Sequence, residues 1–148
     1  MGLIYAKITL INGEDVILHR KGYLEKEKIR ELEVKALVDS GAYMLAINEK
    51  IKTQLGLEAI DHQTAELANG EILKLEIVDP VYIEFENRST TVRAMVLPGE
   101  SEVLLGSIPM EDMDVVIEPR KQQLIVNPEN PYLPKKPLKS VISGTCKR

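Results

Sequence analysis

Residues 36–42 read Ala-Leu-Val-Asp-Ser-Gly-Ala. Three apolar residues lead directly into the carboxylate of Asp39, and burying an unpaired carboxylate is energetically expensive. A chain that places Asp39 there is expected to use it. Ser40 adds a hydroxyl that donates and accepts hydrogen bonds, and Gly41 lets the chain turn sharply and lets a ligand come close. The tripeptide alone is weak evidence for a functional site, because Asp-Ser/Thr-Gly also forms ordinary turns and arises by chance in roughly one chain in fourteen of this length.

The residues on either side of this segment predict a strand and a helix. Residues 29–38 alternate apolar and charged side chains and become apolar on both faces at the end, which predicts a strand that enters the core. Farther on, Asn48 is a favourable helix N-cap and Gly56 stands where a helix would stop. A short helix is therefore expected over 48–55.

Turn residues divide much of the remaining chain into short strands. Asn-Gly between two β-rich runs is a strong hairpin signal, because both residues tolerate positive φ. This pair occurs at Asn12-Gly13 and at Asn69-Gly70, and further hairpins are expected around Asn87-Arg88 and Pro119-Arg120. Pro80 is expected to interrupt the strands between them. Many short strands with one or two short helices indicate an all-β fold.

Length, composition and charge exclude several classes of protein. The chain has 148 residues, which suits one domain. It has no run of about 18 apolar residues and no leader signature at the N-terminus, so we expect a cytoplasmic protein with no membrane contact. One cysteine and two histidines without ligand spacing predict no metal and no cofactor. An acidic body with no Trp and one Phe predicts no nucleic-acid partner.

The composition changes at Pro128. From there to Pro137 a proline recurs at every third position with lysines between, which favours extended polyproline geometry. We therefore divide the chain into a domain at 1–127 and a Pro/Lys-rich C-terminal tail at 128–148. The tail is interpreted either as a solvated C-terminus or as a peptide strap that docks on a partner.

In the order of these elements, the sequence resembles the retropepsin-like (retroviral-type) aspartic proteases of the small bacterial single-domain type. The segment 36–42 is similar to the family's active-site motif, in which Asp-Thr/Ser-Gly-Ala follows an apolar strand. Val103–Gly106 resembles the second element, two apolar residues and a glycine before a short helix. Residues 68–71 fall where the family carries its flap hairpin. The resemblance covers roughly residues 3–127 and implies an all-β, closed acid-protease barrel with a flap hairpin and one or two short helices.

The resemblance implies an aspartic endopeptidase that acts on peptides or unfolded proteins. One chain carries one motif, whereas the chemistry needs two carboxylates, so Asp39 from each subunit of a homodimer would meet at the two-fold axis. Two carboxylates about 3 Å apart share a proton, because both cannot ionise cheaply. One of them then activates a water molecule while the other donates to the scissile carbonyl, and no metal or cofactor is needed.

The resemblance also implies roles for the neighbours of Asp39. Ser40 would hydrogen-bond across the dimer, Gly41 would offer space and a backbone amide, and residues 104–106 would pack behind the catalytic loop. A plain core strand and an ordinary hairpin turn remain the simpler interpretations of residues 104–106 and of Asn69-Gly70. The predicted active-site support comprises Ser40, Gly41, Ala42, Leu104, Leu105 and Gly106, and the predicted flap tip comprises Ala68, Asn69 and Gly70.

Two other functions remain open. The first is a catalytically silent, protease-like interaction module that binds an extended peptide as an added strand. Retention of Asp39, Ser40 and Gly41 argues against it, since a binding module does not need a carboxylate pair. The second is a structural or chaperone-like subunit that contacts its partner through the basic tail.

Overall fold

A computed structural model of the chain describes residues 2–138. It consists of short strands and three short α-helices, the longest strand being the fifth. In chain order the elements are β1 (Tyr5–Asn12), α1 (Gly13–Arg20), a 3₁₀ turn (Lys26–Lys28), β2 (Glu31–Val38), β3 (Leu45–Asn48), α2 (Glu49–Leu55), β4 (Ala59–Glu66), β5 (Ile72–Phe85), β6 (Arg88–Leu97), β7 (Leu104–Leu105), α3 (Ser107–Met113), β8 (Val115–Glu118) and β9 (Gln123–Val126).

Six of the strands close into a barrel. The sheet runs in the order β1-β2-β7-β3-β6-β5-β4, and β1 also pairs with β5, which joins the two sides of the sheet. β4 stays outside this ring and pairs with β5 alone among the described strands. The pairs β2–β7 and β3–β6 are parallel, the other pairs are antiparallel, and β8 and β9 form a separate hairpin. The predicted all-β closed barrel is confirmed.

The barrel interior is filled by the inward-facing half of each strand. From Tyr5 to Leu10 in β1, buried side chains alternate with exposed or half-buried ones, because successive side chains of a strand point to opposite faces. Burying each large aliphatic side chain contributes about 1.5–3 kcal/mol to folding. The fully buried members of this core include Ile8, Leu10, Leu45, Ile47, Ile77, Val81, Ile83 and Leu105.

The predicted hairpin at Asn12-Gly13 is wrong, because Asn12 caps α1 instead. Its side-chain oxygen accepts hydrogen bonds from the backbone N–H groups of Glu14 at 2.9 Å and Asp15 at 3.2 Å. Its side-chain nitrogen donates to the carbonyl of Leu55 at 2.8 Å. A β-carbon on Gly13 would lie 2.7 Å from Pro80, so the glycine serves a close approach here rather than a turn.

An ion pair between the buried Asp15 and the half-exposed Arg30 strengthens the start of α1. Asp15 is buried in the first turn, where a carboxylate also favours the helix dipole. The Arg30 guanidinium donates to both of its carboxylate oxygens, at 2.9 and 3.0 Å, and the Arg30 backbone N–H donates at 3.0 Å. These hydrogen bonds hold the pKa of Asp15 below its usual value. The residues after Gly13 therefore form a helix in place of the predicted strand.

The other three predicted hairpins and the predicted short helix are confirmed, whereas the prediction for Pro80 is wrong. Hairpins join β4 to β5, β5 to β6 and β8 to β9. Asn48 caps α2 by accepting the N–H of Ile51 at 2.9 Å, and Gly56 ends this helix at φ 64°. Pro80 does not end a strand as expected, because β5 continues through it with a shift of register between Val78 and Val81.

The first part of the predicted tail lies against the barrel. The Asp114 carboxylate accepts from the side chains of Asn127 and Asn130, at 3.0 and 2.8 Å, and from the backbone N–H of Lys135 at 3.0 Å. These donors lower the pKa of Asp114. The buried Arg88 guanidinium donates to the carbonyl of Asn130. We call residues 127–136 the strap; its contacts cross the predicted domain boundary.

No helix within residues 2–138 has the length and apolar character needed to cross a membrane.

Candidate active site

The backbone on both sides of Val38 is fixed by the short strand β7. Leu37 and Val38 pair in parallel with Leu104 and Leu105. The Leu37 N–H donates to the carbonyl of Val103 at 2.8 Å, and the Asp39 N–H donates to the carbonyl of Leu105 at 3.0 Å. The predicted support residues 104 and 105 thus lie directly beside the strand that delivers Asp39.

A tight turn follows Asp39. The Gly41 N–H donates to the Asp39 carboxylate at 2.9 Å, and the Ala42 N–H donates to the Asp39 carbonyl at 3.0 Å. A β-carbon on Gly41 would lie 3.2 Å from the same carboxylate oxygen, which is closer than an ordinary contact. The absence of a side chain lets this amide reach and orient the carboxylate. Asp39 is half-buried, whereas Ser40 is exposed at the outside of the turn.

The chain after β7 locks the far side of the same loop. The Ser107 N–H donates to the Ala42 carbonyl at 2.9 Å, and the Ile108 N–H donates to the Tyr43 carbonyl at 3.0 Å. Gly106 passes beneath the loop, where a β-carbon would meet the Met44 carbonyl oxygen at 2.4 Å. The Asp-Ser-Gly loop is therefore held by backbone hydrogen bonds at both ends.

A pocket of about 360 Å³ opens beside this loop. The loop supplies one wall, the hairpin β4–β5 supplies the opposite wall, and β6 and β7 supply apolar side chains between them. We call this the inner pocket. Its lining consists of Gly41, Ala42, Tyr43, Met44, Ala46, Gln63, Ala65, Glu66, Leu67, Met95, Leu97 and Leu104.

The predicted flap residues lie at the tip of the hairpin β4–β5. The Leu67 N–H donates to the Glu71 carbonyl at 2.8 Å, and the Gly70 N–H donates to the Leu67 carbonyl at 2.9 Å. Asn69 accepts the Glu71 N–H at 2.9 Å, and Gly70 has φ 87°, which suits glycine. The tip residues Ala68, Asn69 and Gly70 are outside the lining of the inner pocket, to which the hairpin contributes through Leu67 and its neighbours.

A second pocket, of about 330 Å³, continues from the inner pocket. Sequence reasoning missed it, because it is assembled by the parallel pairing of β3 with β6, which sets Leu45 opposite Ala94. No local motif marks that pairing. We call it the outer pocket; it is lined by Tyr43, Met44, Leu45, Gln63, Thr91, Val92, Arg93, Ile108 and Pro109.

An apolar face lies on the other side of Asp39. The Val38 N–H donates to the Ile4 carbonyl at 2.8 Å, which holds the N-terminal segment next to β2. Leu3 is 69% exposed on this face. A groove of about 470 Å³ is lined there by Gly2, Leu3, Ile4, Leu37, Val38, Asp39, Ile117, Pro119 and Gln122.

The described residues offer no ready-made metal site. Within residues 2–138 there is no group of three or more His, Cys, Asp or Glu side chains that could hold a metal ion. Cys146 lies outside this range.

In this closed barrel, an Asp-Ser-Gly loop follows the end of a strand, is hydrogen-bonded to a Leu-Leu-Gly strand and faces a hairpin across the inner pocket. These features define a retropepsin-like aspartic protease domain. The family model described as "gag-polyprotein putative aspartyl protease" matches residues 26–122, about two thirds of the chain, and the chain belongs to this family. The predicted family is thereby confirmed. No curated protein matches the chain.

Proposed function

We propose that this protein is a cytoplasmic, homodimeric aspartic endopeptidase in which Asp39 of each subunit supplies one catalytic carboxylate. The observation that carries the proposal is the Asp39 loop itself. The Asp39 carboxylate accepts a hydrogen bond from the Gly41 N–H, and the Asp39 N–H donates to the Leu105 carbonyl. Gly41 and Ala42 of the same loop line the inner pocket. Holding a reacting group in a fixed place is a large part of catalysis.

The reaction follows from two such carboxylates at one two-fold axis. They share one proton, since two adjacent negative charges repel strongly. The ionised carboxylate takes a proton from a water molecule, whose oxygen attacks the carbonyl carbon of the scissile peptide bond. The protonated carboxyl donates to the carbonyl oxygen. As the C–N bond breaks, the leaving nitrogen takes the proton that the first carboxylate removed from water, and the new carboxyl product returns a proton to the pair. The hairpin β4–β5 would close over the substrate and exclude bulk water.

The apolar face beside Asp39 is an argument for the proposed dimer. Its exposed Leu3, together with Ile117 and Pro119, borders the same groove as Asp39. A second copy placed on this face would cover these side chains and bring its own Asp39 next to the first. Ser40 is exposed. In such a dimer its hydroxyl would hydrogen-bond across the interface.

The test is cleavage of a diverse peptide library by the full chain from about pH 4 to about pH 7.5, beside Asp39→Asn. Cleavage by wild type alone, blocked by a statine-type inhibitor, supports the proposal. Equal cleavage by both proteins indicates a contaminant. A dimer that cleaves nothing favours the catalytically silent interaction module.

Mixed dimers test the shared carboxylate pair. If both Asp39 residues are needed and subunits exchange freely, equal amounts of wild type and Asp39→Asn leave about a quarter of the dimers active. Activity per wild-type chain should therefore fall to about half. Activity that is indifferent to added Asp39→Asn, under conditions where subunit exchange is demonstrated, contradicts the dyad.

A further inference from the structure

The inner and outer pockets form one groove. They share Tyr43, Met44 and Gln63, so they lie next to each other on the surface and one extended peptide can span both. The groove starts at Gly41, two residues from Asp39, and ends between β6 and the first turn of α3. An extended peptide whose scissile bond lies at Asp39 would place a more distant side chain in the outer pocket.

The outer pocket combines an apolar floor with a single cation. Leu45, Val92 and Pro109 supply the floor, and Tyr43, Gln63 and Thr91 add neutral polar groups. Arg93 is the one charged residue of its lining. A guanidinium presents several N–H donors in a fork that matches a carboxylate.

The guanidinium of Arg93 is available to a ligand. Its side chain is 51% exposed, and among residues 2–138 the one carboxylate within 4.0 Å of it is that of Asp79, at the limit of this distance. An exposed pair at this distance holds neither side chain firmly. The nearby carboxylate still matters, since it weakens the attraction of Arg93 for an acidic ligand without abolishing it.

The charges of the two pockets are opposite. Glu66 lines the inner pocket on the side of the hairpin β4–β5, whereas Arg93 lines the outer one. An acidic side chain is therefore disfavoured in the inner pocket and favoured in the outer one. Charge complementarity of this kind selects among ligands more than it raises affinity.

We propose that Arg93 is a specificity-determining residue, which makes the outer pocket a subsite for an acidic side chain of an extended peptide. The inference rests on the proposed function for its substrate, and it adds the chemical class of one substrate position. The preferred peptide carries Asp or Glu at a single position distant from the scissile bond and neutral residues nearer to it.

The experiment uses the full chain and peptides that place Glu, Gln or Lys at each position in turn around one cleaved bond. Wild type should cleave the Glu peptide about five- to tenfold better than the Lys peptide, in kcat/KM, at one position. Arg93→Glu should reverse that preference and leave the other positions unchanged. Arg20→Glu, the same charge change on the exposed end of α1, is the matched control and should behave as wild type.

Binding separates this inference from the proposed function. Asp39→Asn is titrated with the same fluorescently labelled peptides, with and without Arg93→Glu. Cleavage without an Arg93-dependent charge preference overturns the subsite and leaves the protease standing. Glu-selective binding lost in Arg93→Glu, with no cleavage by wild type, supports the subsite and overturns the protease. If wild type shows no cleavage and Asp39→Asn shows no Glu-selective binding, both the subsite and the protease are overturned.

Discussion

A β-carbon on Gly106 would lie 2.4 Å from the carbonyl oxygen of Met44. Both groups belong to backbone that other hydrogen bonds hold in place, since the next residue, Ser107, donates to the Ala42 carbonyl at 2.9 Å. Moving either backbone segment, at Gly106 or at Met44, would therefore break hydrogen bonds that hold the loop. This glycine is required by the closeness of two chain segments, and its position makes the Leu-Leu-Gly strand part of the Asp39 loop's support.

Gly106→Ala should displace the Asp39 loop. Overpacking of this kind costs about 1–3 kcal/mol in the free energy of unfolding, and a shift of about 1 Å in a reacting group lowers kcat/KM by about 100-fold. Thermal unfolding and peptide cleavage measure the two effects. Lys50→Ala, on the exposed side of α2, is the control and should unfold and cleave as wild type does. Unchanged activity and stability in Gly106→Ala would contradict this account of the loop.

Ala42→Ser should move the pH–rate profile to lower pH. Ala42 follows the Asp-Ser-Gly turn, and its N–H donates to the Asp39 carbonyl at 3.0 Å. A serine hydroxyl at this position can donate to the ionised carboxylate and favour that form. The dependence of kcat/KM on pH measures the shift, and Ala46→Ser in the inner pocket is a control for an added hydroxyl. A profile that stays in place rejects this role for residue 42.

Asp15→Asn should reduce the loss of stability in acid. The Arg30 hydrogen bonds depress the pKa of Asp15 in the folded state. Its contribution is therefore complete above the ordinary value of 3.8 and disappears as the pH falls through the lower folded value. Losing the charge-assisted bonds costs about 1–3 kcal/mol at neutral pH.

Urea unfolding across the acid range measures this prediction. The free energy of unfolding of wild type should converge with that of Asp15→Asn as the pH falls below 3.8. Glu27→Gln, in the exposed 3₁₀ turn, is the charge-matched control and should follow wild type. Parallel curves for wild type and Asp15→Asn would show that this ion pair does not contribute.

Removal of the strap should destabilise the barrel. Truncation after Asn127 removes the Asn130 carbonyl from Arg88, which is 2% exposed, and removes two donors from Asp114. Within residues 2–138, two further nitrogens of Arg88 already lack a hydrogen-bond partner. We expect a loss of about 2–4 kcal/mol, because a buried charged donor is left unsatisfied.

Truncation after Leu138 is the matched control for the strap. It keeps every strap contact described above, so it should unfold at a higher temperature than the protein truncated after Asn127. Equal thermal stability of the two truncated proteins would show that the strap contributes nothing. The experiment also tells whether a tail-free protein can be used in activity assays at all.

Sequence reasoning reached the parts of the fold that depend on local signals. The Asp39 loop, the helix capped by Asn48 and the hairpin at Asn69-Gly70 each have their cause within a few residues. The hairpin predicted at Asn12-Gly13 is wrong because Asn favours both turns and helix N-caps. The partners that decide between them, the Leu55 carbonyl and Arg30, are distant in the sequence.

The remaining features depend on contacts that no local pattern announces. Arg93 lines the outer pocket because β6 pairs in parallel with β3. The strap is held because it contacts Asp114 at the end of α3 and Arg88 in β6. The proline spacing predicted an extended chain but contains no information on its docking site. The features of the candidate site that depend on pairing between distant strands could therefore not be predicted from the sequence.

Among the strands of residues 2–138, none pairs with the outer edge of β4, which has a consequence for how the protein behaves at high concentration. An unpaired edge is a template for intermolecular β-pairing and can seed aggregation. The exposed sequence of β4 counters this, because Asp61, His62 and Glu66 place polar groups along it. These side chains therefore disfavour edge-to-edge pairing of β4 between copies of the protein, and in the proposed function they would leave the edge free for a substrate strand.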